Sequence, residues 1–122
     1  MKVYAFDVDD TLDFAGGPIK LRDLIDLSVN GEYIGICGNW KHAAQKINLV
    51  MFSFIGPARL GQSNNSTGST YIEEKAKFLA LVRSGIEADD YIMVGNVPMD
   101  SDAAELAKWR FIKEKDFAER FR

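Results

Sequence analysis

Short apolar runs alternate with helix-forming segments along the whole chain, and this alternation restricts the fold more than any other feature. Residues 3–6 read as a strand that ends in acids. Pro18 then opens a helix whose Leu21, Leu24, Ile25 and Ser28 share one face until Gly31. Residues 33–37 follow as a strand and 40–46 as a helix. Residues 49–55 form a third strand without polar alternation, the pattern of a strand covered on both faces. Thr70 and Glu73 have the spacing of a capping box, so a helix starts there and runs to Gly85. Strands at 91–94 and 110–112 and helices at 100–107 and 116–120 complete the series. Five β–α units predict an α/β fold: a five-stranded parallel sheet, doubly wound, with helices on both faces. Residues 1–122 read as a single domain of ordinary size.

Composition removes several function classes. Apolar residues at 47% and charged residues at 27% exclude disordered, collagenous and disulfide-stapled chains. The longest apolar stretch, residues 47–55, is interrupted by Asn48 and Ser53 and is far shorter than the ~20 residues of a membrane span. The amino terminus meets Asp7 too early for a secretory leader, so a cytoplasmic location is expected. Cys37, the one cysteine, lies in an apolar run and reads as a small buried side chain. Residues 108–122 carry six bases and three acids, with Trp109, Phe111, Phe117 and Phe121 interleaved. Phe117 and Phe121 are spaced to line the buried face of a helix, and the net charge is −3, so nucleic acid is not an expected partner. Residues 61–70, G-Q-S-N-N-S-T-G-S-T, read as a loop.

In sheets of this type ligands bind beyond the carboxyl ends of the strands, where the winding direction reverses. The first strand runs into F-D-V-D-D-T-L, residues 6–12, and the fourth into a segment containing Asn96, Asp100 and Asp102. Asp7 and Asp9, two residues apart at a strand end, can approach one small site. Their mutual repulsion favours a hard divalent cation, Mg²⁺, which could also draw on Asn96 and Asp100. Carboxylates with Mg²⁺ point to phosphoryl chemistry.

The D-x-D-x-T of residues 7–11 resembles motif one of the haloacid dehalogenase (HAD) superfamily, and Y-I-M-V-G-N-V-P-M-D, residues 91–100, resembles its last motif. The resemblance spans almost the whole chain and implies a HAD-like, Rossmann-like domain without a cap. It further implies that Asp7 is the nucleophile that forms an aspartyl-phosphate. Asp9 would be the general acid and base, with its backbone carbonyl as a Mg²⁺ ligand, and Thr11 would brace the turn. Asp7, Asp9, Asn96 and Asp100 form the implied metal set, and Val8, Gly38 and Asn39 the implied phosphate-binding set.

The family also uses a lysine that neutralises the nucleophile and the phosphate, and here Lys75 and Lys77 compete. At 100° per residue, Lys75 points along the apolar arc of Tyr71, Ile72, Phe78, Leu79 and Val82, while Lys77 projects beside Glu73 on the polar side. Lys75 either reaches Asp7 or snorkels to solvent.

The chain departs from the family in three places. The second motif reads I-C-G-N-W, with no Ser or Thr, so backbone N–H groups of Gly38 and Asn39, or the Asn39 amide, would bind phosphate instead. Asn96 stands where the family has Asp, which lowers the expected metal affinity. No cap fits in residues 13–17 or 56–70, although the second segment is long enough for a flap. An open site suits a bulky phosphorylated substrate, unless a second subunit of a homo-oligomer supplies a lid, with Trp40, Phe52 and Phe54 as interface candidates beside their core reading. Asp102 and Glu105 read as a capping box that starts a helix, and His42 reads as a surface residue.

The expected function is a Mg²⁺-dependent phosphoric-monoester hydrolase. The alternative is a catalytically weakened HAD-fold module for binding or assembly. A phosphoacceptor receiver domain fits less well, because its acceptor aspartate ends the third strand and M-F-S-F-I-G contains no acid.

Overall fold

A computed structural model of the chain describes residues 1–58, 68–96 and 98–120. Five strands, β1 (Lys2–Phe6), β2 (Tyr33–Cys37), β3 (Phe54–Gly56), β4 (Asp90–Gly95) and β5 (Arg110–Lys113), form one sheet in the order β3-β2-β1-β4-β5. Every pairing is parallel. The helices are α1 (Leu21–Val29), α2 (Trp40–Lys46), α3 (Gly68–Gly85), α4 (Met99–Leu106) and α5 (Glu114–Glu119). The architecture is α/β and consistent with a Rossmann-like fold. No helix among the described residues is long and apolar enough to cross a membrane.

The central strands are apolar on both faces because both are covered. Tyr4 and Phe6 of β1 join Ile34, Ile36, Ile92 and Val94 in one core with Leu24 of α1, Ala43 of α2 and Phe117 of α5. Val3 and Ala5 join Cys37 and Met93 in a second core with Leu79 and Val82 of α3 and Ala103, Ala104 and Ala107 at α4. Phe117 anchors the first core edge-on against Tyr4 and Phe6, at ring separations of 5.9 and 5.3 Å. Cys37 is fully buried, and burial pushes its thiol well above the usual range, which leaves it inert.

Several boundaries differ from those expected. Residues 49–51 are a 3₁₀ turn, not strand: the Asn48 side chain accepts the Val50 N–H at 3.0 Å and closes the turn. The third strand is therefore a three-residue edge strand on which Ile55 is 37% exposed, not one covered on both faces. Helix α1 starts at Leu21 instead of Pro18, since Ile19 is held in a parallel bridge to Leu12. Leu24 and Asp23 are its buried residues, Leu21 and Leu27 pack partly buried against the core, and Ile25 and Ser28 are exposed. Helix α3 starts at Gly68, which places Thr70 inside it and not at a cap. Helix α4 starts at Met99, so Asp102 is also interior and caps nothing. Phe52 lies in the first core, Trp40 packs against it, and Phe54 packs against the second. Most of the 61–70 loop, most of the flap segment and Phe121 lie outside the described residues.

Truncating Phe117 leaves a hole among rings that cannot collapse. Phe117→Ala is expected to lower unfolding free energy by about 3–5 kcal/mol in a denaturant titration, while Leu81→Ala, at a side chain 69% exposed, should change it by less than about 0.5 kcal/mol.

Candidate active site

β2 and β3 lie on one side of β1, and β4 and β5 on the other, so the chain ends leaving β1 and β4 diverge and leave a crevice between them. Asp7 continues β1 by one residue, its N–H bonded to the Val94 carbonyl at 3.0 Å, which fixes its side chain at the crevice floor. The chain then turns sharply. The Val8 carbonyl accepts the N–H groups of both Thr11 and Leu12, and Asp10 takes a left-handed φ of 59°, which aspartate tolerates better than most residues.

Four residues close a ring at this floor. Lys75 Nζ lies 3.3 Å from Asp7 Oδ1 and 2.5 Å from Asp100 Oδ1. Asp100 Oδ2 accepts the Asn96 backbone N–H at 2.9 Å, and Asn96 Nδ2 donates back to Asp7 Oδ2 at 3.1 Å. Both oxygens of each carboxylate are thereby engaged, the condition under which buried charge is tolerable. Lys75 is 6% exposed and Lys77 lies on the outer face, so the helical phase of α3 settles the choice between the lysines. Burial would push the Lys75 ammonium down, but the adjacent Asp7 and Asp100 carboxylates outweigh it and hold the group above its ordinary value. Burial also pushes Asp7 up to about 6, with Lys75 opposing and Asp100 reinforcing the change.

Two glycines make room for the ring. A Cβ on Gly38 would stand 2.3 Å from Asp7 Oδ1, and one on Gly95 would stand 2.3 Å from Asp100 Oδ2. The role of Gly38 is therefore space. Its N–H is committed to the Gly56 carbonyl at 2.9 Å and does not face a phosphate, which corrects the expected donor role.

Asp9 is treated differently from Asp7. Its carboxylate turns outward to α2, where Asn39 Nδ2 lies 3.0 Å from Oδ2 and His42 Nδ1 lies 2.7 Å from Oδ1. Burial raises the Asp9 carboxyl, but the hydrogen bonds from Asn39 and His42 overcome that and leave it below its usual range. The Asn39 amide thus commits one of its two N–H hydrogens to Asp9, its Oδ1 accepts the His42 N–H at 3.2 Å, and the residue lines the cavity. His42 is the residue that the sequence reading missed. The usable signal was the Asn39-x-x-His42 spacing, which stacks the two over one another if Asn39 caps the helix.

The Asp9 backbone carbonyl faces the opposite way, 3.1 Å from Asn96 Nδ2, which also donates to Thr11 Oγ1 at 3.2 Å. Asp7 Oδ2 and the Asp9 carbonyl thus converge on one amide group. These two hard oxygens meet at the Asn96 carboxamide, which could offer its own Oδ1, and a donor set made only of oxygens fits Mg²⁺. Asp100 does not join this set. It is 2% exposed, with its oxygens on Lys75 and Asn96, and it braces the lysine instead of reaching the cavity. Above the floor opens a cavity of about 500 Å³, whose walls include Trp40, Lys41, Tyr71 and Met99. Compared with known proteins, the chain matches no family model, no curated protein and no solved structure.

Removing Lys75 leaves two buried carboxylates without a counter-charge. Lys75→Met is expected to destabilise the fold by about 3–5 kcal/mol in urea, against less than about 0.5 kcal/mol for Lys77→Met. Asp7 gives a second expectation, with a definite sign. A raised carboxyl pKa means that the folded state holds the proton more tightly than the unfolded chain. The stability so contributed is present below about pH 4 and lost as pH rises through about 6. In EDTA, Asp7→Asn should therefore gain on the wild type between pH 4 and 7, by on the order of 3 kcal/mol. Parallel stability curves would show that the Asp7 carboxyl is unperturbed.

Proposed function

We propose that the chain is a doubly wound, HAD-like domain without a cap, and that it is a Mg²⁺-dependent phosphoric-monoester hydrolase acting through an aspartyl-phosphate. The reading is carried by one observation: a buried carboxylate, Asp7, at the floor of an open cavity, held between the Lys75 ammonium and the Asn96 amide. Asp7 Oδ2, the Asp9 carbonyl and Asn96 Oδ1 would hold Mg²⁺, which when bound neutralises charge on the phosphoryl oxygens. Phosphoryl transfer asks mainly for positioning and charge compensation, and Lys75 supplies a fixed positive charge beside the attacking oxygen.

The steps follow from the residues. An Asp7 oxygen attacks phosphorus; the bond to the ester oxygen breaks, and that oxygen leaves as the alcohol with a proton from Asp9. Asp9, now a carboxylate, takes a proton from water, whose oxygen attacks the same phosphorus and releases Asp7 and inorganic phosphate. In the resting site Asp7 is raised and Asp9 lowered. A dication held by Asp7 Oδ2 would favour the ionised, attacking form of Asp7, and a phosphate dianion beside Asp9 would favour the protonated form from which it donates. The open cavity suits a bulky phosphorylated substrate, and a cytoplasmic setting and a lid from a second copy belong to the same proposal.

A second reading, a module that binds without efficient turnover, is favoured by Asn96, whose amide already satisfies Asp7 Oδ2 and the Asp9 carbonyl without a metal. Turnover and metal response separate the two. The hydrolase is expected to release phosphate from at least one ester in a broad panel with Mg²⁺. Asp7→Asn should reduce this to background, and Mg²⁺ with BeF₃⁻ should raise the wild-type melting temperature but not that of Asp7→Asn. No turnover together with no Mg²⁺-dependent shift sinks the hydrolase reading and leaves the binding module.

A further inference from the structure

We propose that the first turn of α2 is a clamp that fixes the Asp9 carboxylate for proton transfer, with His42 as a positioning residue. The inference rests on the hydrolase reading and adds to it a residue outside the D-x-D-x-T, lysine and G-N-x-x-x-D segments. Asp9 stands on an exposed turn with its side chain 52% accessible, where an aspartate would ordinarily sample several rotamers. Here each oxygen has its own donor, Asn39 Nδ2 on Oδ2 at 3.0 Å and His42 Nδ1 on Oδ1 at 2.7 Å. Two bonds from different directions leave the carboxylate one orientation.

The donors are themselves fixed. Asn39 is the N-cap of α2, its Oδ1 accepting the His42 N–H at 3.2 Å, so cap, histidine and carboxylate form one connected unit. Ionised Asp9 accepts only, so His42 presents Nδ1–H to it, and a carboxyl that carries one proton for donation keeps the acceptor capacity that both donors use. The segment after β3 supports the unit, since the Trp40 indole donates to the Pro57 carbonyl at 3.1 Å and pins the start of the helix. An isolated surface pair would be worth little. What matters here is direction: a general acid must lie within hydrogen-bond reach of the departing oxygen, and a misplacement of about 1 Å can reduce a rate by 10²-fold.

The chemistry supplies a readout that loss of stability cannot imitate. An alkyl alcohol leaves only if it is protonated, whereas p-nitrophenolate leaves as a stable anion. The value of kcat/KM covers steps up to formation of the aspartyl-phosphate, so it isolates the proton donated by Asp9. Wild type, His42→Ala, His42→Asn, His42→Gln and Asn39→Ser are assayed with Mg²⁺ on glycerol phosphate and on p-nitrophenyl phosphate, with melting curves for each. His42→Ala should lose about tenfold or more in kcat/KM on glycerol phosphate and less than about threefold on p-nitrophenyl phosphate, and Asn39→Ser, which retains a capping side chain, should lose at least about threefold more on glycerol phosphate than on p-nitrophenyl phosphate. His42→Asn places a donor where Nδ1 was and should recover most of the loss; His42→Gln carries its donor one atom further and should not. Equal losses on both substrates, no loss, or equal recovery by Asn and Gln overturns the clamp while the hydrolase reading stands. A wild type that turns over neither ester, nor any other in the panel, overturns both.

Discussion

A lysine ammonium buried between two aspartates is the interaction on which the rest of the site depends. Lys75 comes from the middle of α3, Asp7 from the end of β1 and Asp100 from the first turn of α4, so one cation joins three elements that are distant in the chain. Removed from water, any one of these charges would be prohibitive, and together they are acceptable only because the ring closes through both the backbone and the side chain of Asn96. The ring carries two carboxylates against one ammonium. That leaves a formal excess of one negative charge in the ring, and the Asp9 carbonyl meets the same Asn96 amide.

The D-V-D-D-T turn divides two nearly adjacent carboxylates between opposite surroundings. Asp7 stays in the plane of the sheet and is buried; Asp9 is carried past the edge and is met by α2. Burial moves the first carboxyl up and hydrogen bonding moves the second down. Two carboxyls of one turn are thereby held in environments that push their proton affinities apart. The glycines at 38 and 95 are part of that division, since any side chain at either position would occupy the space of a carboxylate oxygen.

Much of this was legible along the chain. The parallel sheet followed from alternating apolar and helical segments, and β2 and α2 lie at the boundaries that their patterns predict. Lys75 was separable from Lys77 by helical phase alone, because the direction of a side chain on a helix is set by arithmetic. The third strand is shorter than its apolar run implies because such a run suits strand or turn alike, and the Asn48 side chain decides locally for a turn at its start. The capping-box spacings at 70–73 and 102–105 were present without serving as caps, since both helices begin earlier than those residues.

By itself the sequence determined the α/β class, the acids that end β1, the lysine that faces inward and the glycines beside them, because strand alternation, helical phase and turn chemistry are local properties. Only the tertiary structure decided what those residues touch. It withdrew Asp100 from the cavity to brace Lys75, spent the Gly38 N–H on a strand pairing, and brought His42 to Asp9. Such choices depend on which strand ends lie side by side, and that is fixed by packing two cores on one sheet, which no single segment encodes.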